Sequence, residues 1–266
     1  NVMAGAHSLY AGGAVNILIA AARSGASCVH AGSHGTGPNG DLVRAALAGE
    51  GITWSSPPIP DQDTGICFVM IEPTAERTFV TTQSAERRIS VESLALSSPQ
   101  AGDLVCISGF SLVGRTRDPL VAWLETLDPS VVVVLDPGAA FADLDADLRS
   151  RVLARTHVWS GNAEESHDLS GCATNDEAAA AIAALLPTGG VAIVRDGDKG
   201  CVVADGGVVT RVPGYPQKPI DTNGAGDTHT GVLCASRAAG LGWVEAARRG
   251  NVAGAIKVTR RGPATA

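Results

Sequence analysis

The sequence DTNGAGD at residues 221–227 is the most informative part of this 266-residue chain. It lies between a predicted β-hairpin and an apolar helical segment. The small residues Gly224, Ala225 and Gly226 let backbone amides at a helix N-terminus approach an anion, and the helix dipole favours negative charge there. Asp227 falls in the first helical turn, where a carboxylate can take a proton from an attacking hydroxyl. This predicts a phosphate cradle with an adjacent base; a glycine-rich turn in which Asp227 only complements the dipole is the alternative.

Upstream of this stretch, short apolar runs alternate with helical ones. The runs of buried-strand type are Leu104–Ser108, Val131–Leu135, His157–Trp159 and Val191–Val194, and the helical stretches between them are Leu120–Leu127, Ala146–Ala154 and Asp176–Leu186. The alternation predicts an α/β fold with a mostly parallel central β-sheet flanked by helices. The turn at residues 205–207 predicts an antiparallel edge hairpin of Cys201–Ala204 and Val208–Val212. Helices at Gly226–Ala239 and Val244–Val258 then close the chain.

The N-terminal third has a different pattern. A helix is predicted at Ala14–Arg23, a strand at Ser27–Ala31 and a further helix at Leu42–Leu47. Asp63–Ile71 and Arg77–Thr82 are β segments joined by a polar turn. They predict a hairpin that leaves the main body.

Composition favours a small-molecule ligand. The chain is 45% hydrophobic and 18% charged, and 20 basic against 27 acidic residues give a net charge of −7, which offers no electrostatic footprint for nucleic acid or an anionic membrane. The six cysteines form no CxxC pair, so neither a zinc cluster nor a disulfide framework is predicted. We expect a protein of the reducing cytoplasm. The uncharged first 22 residues are interrupted by polar and glycine residues, so no membrane span or signal peptide is predicted.

Two motifs resemble those of the ribokinase-like, or PfkB, carbohydrate kinases. The C-terminal signature of that family, D-T-x-G-A-G-D followed by small residues, is matched throughout by residues 221–227, with Gly231 in a small position. AGGAVN at residues 11–16, followed by Gly25 and Gly35, resembles the N-terminal signature. The two motifs occur in the family's order, about 200 residues apart. Together they are more specific than either alone.

The resemblance implies a kinase that transfers the γ-phosphoryl group of ATP to a hydroxyl of a sugar or sugar-like compound. Asp227 would deprotonate the hydroxyl, and the amides of Gly224, Ala225 and Gly226 would stabilise charge on the phosphoryl group. Asp221 would contribute to a site for a monovalent cation such as K⁺. Since no GxxxxGK[ST] run occurs, ATP would be held by the 224–227 cradle rather than by a P-loop.

The family uses the N-terminal signature to bind the sugar. Gly12, Gly13 and Asn16 are therefore implied to bind substrate, since glycines permit close approach and the Asn amide offers both a donor and an acceptor to a polyol. From the residues alone, this is a helix-start loop in which Asn16 caps the helix.

Three further segments resemble the nucleotide and metal side of the family. Asn162 and Glu165 match an N-x-x-E motif that helps to place Mg²⁺ and the triphosphate, although the same spacing is that of a helix capping box. Gly197 and Gly200 lie in a loop that would pass near the phosphates and adenosine, where a plain β-turn is the alternative. Asn251 matches a position bordering adenine; by itself it would be an exposed helical Asn.

The chain is predicted to be a single ribokinase-like kinase domain, residues 1–266, with lid segments within 1–12 and 63–82. We expect that two copies can pair through the lid. The family begins with a strand that contributes an Asp to sugar binding, and we expect it to precede Asn1 in a longer protein. Three residues depart from the family pattern: Val232, Leu18 and Gly37. Because an acidic residue is common at the position of Gly37, the identity of the substrate is less well defined by the resemblance.

Other functions remain open at this point. A nucleoside kinase of the same family is the runner-up; only ten aromatic residues exist to stack on a base, and Tyr10 alone adjoins the sugar motif. A catalytically silent sugar- or nucleotide-binding protein on this fold would be expected to have lost Asp227. An NAD-dependent dehydrogenase is disfavoured because position 229 is His where GxGxxG needs Gly. None of the six histidines is assigned a catalytic role, and His229 should face away from Asp227.

Overall fold

The structure, a computed structural model, describes residues 7–71 and 77–264. Its strands are β1 (Val29–His30), β2 (Thr53–Trp54), β3 (Cys67–Ile71), β4 (Arg77–Thr81), β5 (Leu104–Ser108), β6 (Val132–Asp136), β7 (Val158–Asn162), β8 (Val191–Arg195), β9 (Gly200–Asp205) and β10 (Val208–Pro213). Its α-helices are α1 (Ala14–Arg23), α2 (Pro38–Gly49), α3 (Val91–Ala95), α4 (Arg117–Thr126), α5 (Ala146–Leu153), α6 (Ala163–Ser170), α7 (Asn175–Leu185), α8 (Ala225–Ala238) and α9 (Trp243–Val258).

The central sheet has six strands in the order β10-β9-β8-β7-β6-β5. Strands β5 to β8 run parallel, because each connection between them crosses over through one or two helices. The β9–β10 hairpin adds an antiparallel edge to β8. The predicted α/β fold, its mostly parallel sheet and its edge hairpin are therefore confirmed.

Both faces of this sheet are covered by helices. Along β6, Val133 and Leu135 pack into a core with α4, α5 and α7, whereas Val134 points to the other face and packs with Leu233 of α8 and Ala246 of α9. This follows from the two-residue period of a strand. Since both faces are buried, the strands are continuous apolar runs rather than alternating ones.

The β3–β4 hairpin forms a two-stranded sheet of its own, as predicted. Its large apolar side chains are exposed, with Phe68 60% and Phe79 53% accessible. The turn at residues 72–76 and the predicted lid segment at residues 1–6 lie outside the described residues. The predicted strand near residue 29 is only two residues long and pairs in parallel with β2, which the sequence did not predict.

All six cysteines are free thiols, in agreement with the absence of a predicted disulfide framework. Across residues 7–71 and 77–264, none of the helices combines the length and the apolar character needed to span a membrane.

Candidate active site

Asp227 lies in the first turn of α8, as the sequence predicted. Burial and, to a smaller extent, the nearby Asp136 carboxylate raise the pKa of its carboxyl from the ordinary 3.8 to about 6. Hydrogen bonding to Asn16 and the positive charge of Arg195 oppose this rise. The result is a buried carboxylate whose pKa lies near neutrality, in the range suited to a general base.

Asn16 is joined directly to this carboxylate. Its Nδ2 donates a hydrogen bond of 2.8 Å to Asp227 Oδ2, across 211 residues of sequence. Gly13 is the N-cap of α1, and none of the described side chains caps that helix, so the alternative that Asn16 caps it is wrong. Gly12 and Gly13 are exposed beside the start of the helix. The N-terminal signature and the C-terminal signature therefore meet in one site.

The predicted cradle is the N-terminus of α8. Gly224 is its N-cap, with a left-handed φ of 77°, and a Cβ at this position would collide with the carbonyl oxygen of Pro263. A Cβ at Gly226 would collide with the Arg195 guanidinium. Within the described chain no side chain caps α8, but the Ala225 amide donates to the Thr222 carbonyl at 3.2 Å, so the amides left for a ligand are those of Gly224 and Gly226 rather than all three predicted ones. The geometry fits an anion such as a phosphate group.

Arg195, Asp136 and Glu165 converge where β6, β7 and β8 end. Arg195 Nη2 donates to the Ser160 carbonyl at 3.1 Å and lies 3.5 Å from Asp136 Oδ2 and 3.8 Å from Glu165 Oε2. Neither Asp136 nor Arg195 has a role predicted from the sequence. The available signal was a charged residue at the carboxyl end of a predicted parallel strand, which is where ligands bind in such sheets.

Asn162 and Glu165 form the predicted capping box at the start of α6. The Glu165 amide donates to Asn162 Oδ1 and the Asn162 amide donates to Glu165 Oε2, both at 2.8 Å. Burial raises the pKa of Glu165, while the hydrogen bond from the Asn162 amide and the charge of Arg195 lower it. The capping box is confirmed; the metal role of Glu165 stays a prediction. With Asp136, Glu165 offers the one or two carboxylates that a Mg²⁺ ion needs beside phosphate oxygens and water.

The predicted adenosine-side residues lie around the β8–β9 turn. Gly197 begins a 3₁₀ turn and Gly200 opens β9. Asn251 on α9 is buried, so it is not an exposed helical Asn; its Nδ2 donates to the carbonyls of Val212 and Pro213 at 3.2 and 3.1 Å. These bonds tie α9 to the end of β10. The proposed contact of Asn251 with adenine stays a prediction.

Two other residues near Asp227 in sequence, His229 and Asp221, have defined surroundings. The His229 ring lies against Gly250 of α9, as expected from its position on the helix, and burial lowers the pKa of the imidazole to about 3. Asp221 is held in its loop, where Oδ1 accepts from the Asn223 amide at 2.8 Å and Oδ2 from the Gly262 amide at 2.9 Å.

Comparison with known proteins is consistent with this geometry. The family model described as pfkB family carbohydrate kinase matches residues 3–266. An uncharacterized sugar kinase of Escherichia coli (strain K12), YegV, is 29% identical over 94% of this chain and 78% of its own length. Ribokinase of Haemophilus influenzae is 28% identical over 95% of this chain and 82% of its own length.

A solved Escherichia coli structure, named as a candidate ribokinase II and containing ATP and Mg²⁺, superposes with a TM-score of 0.85. It is 24% identical and covers 97% of this chain and 85% of that one, a likeness that establishes the shared fold. Family membership also excludes the dehydrogenase alternative. The chain belongs to the pfkB family of carbohydrate kinases, and it is an ATP-dependent sugar kinase whose acceptor is an alcohol group.

Proposed function

We propose that this kinase phosphorylates a hydroxyl of a free sugar and that Asp227 is its general base. One observation carries the proposal: the Asp227 carboxyl is buried, held by Asn16 and set in the first turn of α8, at the helix end that favours an anion. A base and an anion cradle on the same helical turn are what phosphoryl transfer to an alcohol requires. A catalytically silent binding protein would have no need of this carboxylate.

In the proposed reaction, ionised Asp227 takes the proton of the acceptor hydroxyl. The hydroxyl oxygen forms a bond to the γ-phosphorus while the bond from that phosphorus to the bridging oxygen breaks, so that ADP leaves with the electron pair. The amides of Gly224 and Gly226 stabilise the charge on the equatorial oxygens. Arg195 adds a positive charge. Its Nε and Nη1 are buried with no hydrogen-bond partner among the described residues, so both remain available to donate to a ligand.

Glu165 and Asp136 are the residues that would hold Mg²⁺ with the nucleotide. Both are carboxylates at the carboxyl edge of the sheet, and both lie within 4 Å of Arg195, which balances their charge. When bound, the metal ion supplies Lewis-acid neutralisation of the phosphate oxygens. The Glu165 side chain is fixed for this task by its capping-box hydrogen bond.

A sugar is favoured over a nucleoside as the acceptor. Asn16 keeps its Oδ1 buried and without a hydrogen-bond partner in the described chain, so an acceptor remains there for a hydroxyl. Tyr10, the aromatic residue next to the sugar motif, packs its ring against Gly262, where a Cβ would lie 2.7 Å from the ring. A polyol is therefore better matched to this end of α1 than a base that needs stacking.

The proposal extends to the cellular location of the enzyme and to its self-association. The six free thiols suit the reducing cytoplasm, where we place the enzyme.

Phe68, Met70 and Val80 share one exposed face of the β3–β4 hairpin, and we propose that two copies of the chain pair through this face.

The decisive experiment is a panel of free sugars, sugar phosphates and nucleosides tested for acceptor-dependent ADP release by the protein, with an Asp227→Asn variant as a matched control. We expect release with at least one free sugar and its loss in the variant. Release that depends only on nucleosides would replace the sugar by a nucleoside. Undiminished release in the variant would remove Asp227 as the base.

A further inference from the structure

We infer that the ammonium group of Lys257 is the built-in cation of the Asp221 loop, so that this kinase needs no K⁺. The inference rests on the proposed function, because it concerns the cation requirement of the same cradle. It replaces the monovalent cation that the family resemblance implies at Asp221 with a side chain of the protein itself.

Lys257 lies in the last turn of α9, and its side chain is entirely buried. Its Nζ donates to the Asp221 carbonyl oxygen at 2.7 Å and to the Arg260 carbonyl oxygen at 3.3 Å, and it lies 3.8 Å from Asp221 Oδ1. A lysine buried this deeply is costly unless its charge is met by oxygen atoms. Here carbonyl oxygens and a carboxylate surround a positive charge.

The same oxygen atoms do not fit a K⁺ ion while Lys257 is present. K⁺ is held by backbone carbonyls that replace its hydration shell. The Asp221 carbonyl already accepts from Nζ, and Oδ1 and Oδ2 accept from the amides of Asn223 and Gly262. A second cation beside Nζ would be repelled at this short range. The residues thus disagree with a metal site and agree with a tethered ammonium group.

The ammonium joins two loops on which the cradle depends. One loop leads from Asp221 to Gly224, and the other follows α9 and brings Pro263 against Gly224. The amides of Ile220 and Asp221 also donate to the Val258 carbonyl at 2.7 and 3.1 Å. Lys257 is therefore a positioning residue: it holds both loops so that the α8 amides face the transferred phosphoryl group, a role a bound cation could also fill.

The test compares potassium with tetramethylammonium, which is too large for the site, in both turnover and thermal melting. At equal ionic strength, the turnover of wild-type protein in the two salts should agree within about twofold, and its melting temperature should be the same in both. Lys257→Ala removes the charge and opens space. Its turnover in tetramethylammonium should be at least about tenfold below that of wild-type protein, and K⁺ should raise that turnover several-fold. Lys257→Met, which removes the charge but keeps the volume, should lose activity without rescue.

Melting separates this inference from the proposed function, because it needs no acceptor. Lys257→Ala should be stabilised by K⁺ over tetramethylammonium, whereas Arg248→Ala, which removes an exposed cation from the same helix, should not. The inference is overturned if wild-type protein is activated or stabilised by K⁺ itself, or if Lys257→Ala shows no preference between the salts in melting. Failure of every sugar in the turnover assay would instead count against the proposed function.

Discussion

At the carboxyl ends of β6, β7 and β8, charged side chains are largely buried and form ion pairs with one another, whereas the β3–β4 hairpin presents large apolar side chains to solvent. Arg195 is 12% exposed among two carboxylates and a carbonyl oxygen. Phe68 on the hairpin is 60% exposed. The charges at the sheet edge thus meet one another within the described chain, while the hairpin has an exposed apolar surface.

The difference in burial between the two regions determines how well each one tolerates substitution. A buried charge without its partner is costly, so a change in one member of the Asp136–Arg195–Glu165 cluster is felt by the others. An exposed apolar side chain has few neighbours to disturb. Substitutions are therefore expected to cost more in the charged cluster than on the exposed face of the hairpin.

The largest effect is expected from Asp227→Asn at the sheet edge. Turnover should fall by roughly 10²-fold or more, because asparagine cannot accept the proton, while nucleotide binding through the α8 amides is retained. Steady-state kinetics with the best acceptor, paired with a nucleotide-binding measurement, tests this. Near-normal turnover would mean that Asp227 only complements the helix dipole.

The same variant has a second readout with a defined sign. Burial penalises the ionised form of Asp227 in the folded state, so the wild-type protein loses stability as the pH rises from near 3.8 through the folded-state pKa of about 6. Asp227→Asn should therefore be the more stable protein above pH 6, by on the order of 2–3 kcal/mol, with the difference vanishing near pH 4. Denaturant melts at the two pH values measure it, and an equal or lower stability at high pH contradicts it.

An intermediate effect is expected from Glu165→Gln. Glutamine can still accept the Asn162 amide, so the melting temperature should hardly change, while the Mg²⁺ concentration for half-maximal rate should rise several-fold because one carboxylate is lost. Glu177→Gln is the matched control, since Thr174 and Glu177 form a capping box of the same type on α7. If both variants keep the wild-type Mg²⁺ dependence, Glu165 is a cap and no more.

The smallest effect on catalysis is expected at the hairpin. Phe68→Ser should change turnover by less than about twofold and unfolding free energy by less than ~0.5 kcal/mol, because the side chain is exposed, yet it should weaken pairing of two chains. Phe79→Ser, on the opposite face of the hairpin, is the control and should leave pairing intact. Analytical ultracentrifugation compares them; equal association by all three proteins would exclude this face as the interface.

The sheet was predictable because its strands are buried on both faces and separated by clear helical stretches; Leu104–Ser108 has the bounds predicted for it. The position of Asp227 in the first turn of α8 was predictable because small residues and a carboxylate are adjacent in sequence just before an apolar helical segment. The place of Asp136 in the site was not predictable, because its partner Arg195 lies at the end of another strand. Lys257 was not either: in sequence it is an ordinary basic residue of a last helical turn, and only the docking of the Asp221 loop buries it.

Asn16 shows a third case, in which the residue was identified but its partner was not. Spacing along the helix suggested a cap, and the family resemblance suggested a sugar ligand. Its hydrogen bond to Asp227 depends on the packing of α1 against α8, two helices that are far apart along the chain. A contact of this kind cannot be inferred from local propensity.

The bond between Asn16 and Asp227 also has a consequence for synthesis on the ribosome. The helix that carries Asn16 is made early, whereas the carboxylate it serves emerges only after 211 further residues. Until then α1 lacks the helix against which it packs, and no nascent chain that stops before residue 227 can hold both halves of the site. The bond between Asn16 and Asp227 can therefore form only after α8 has been made.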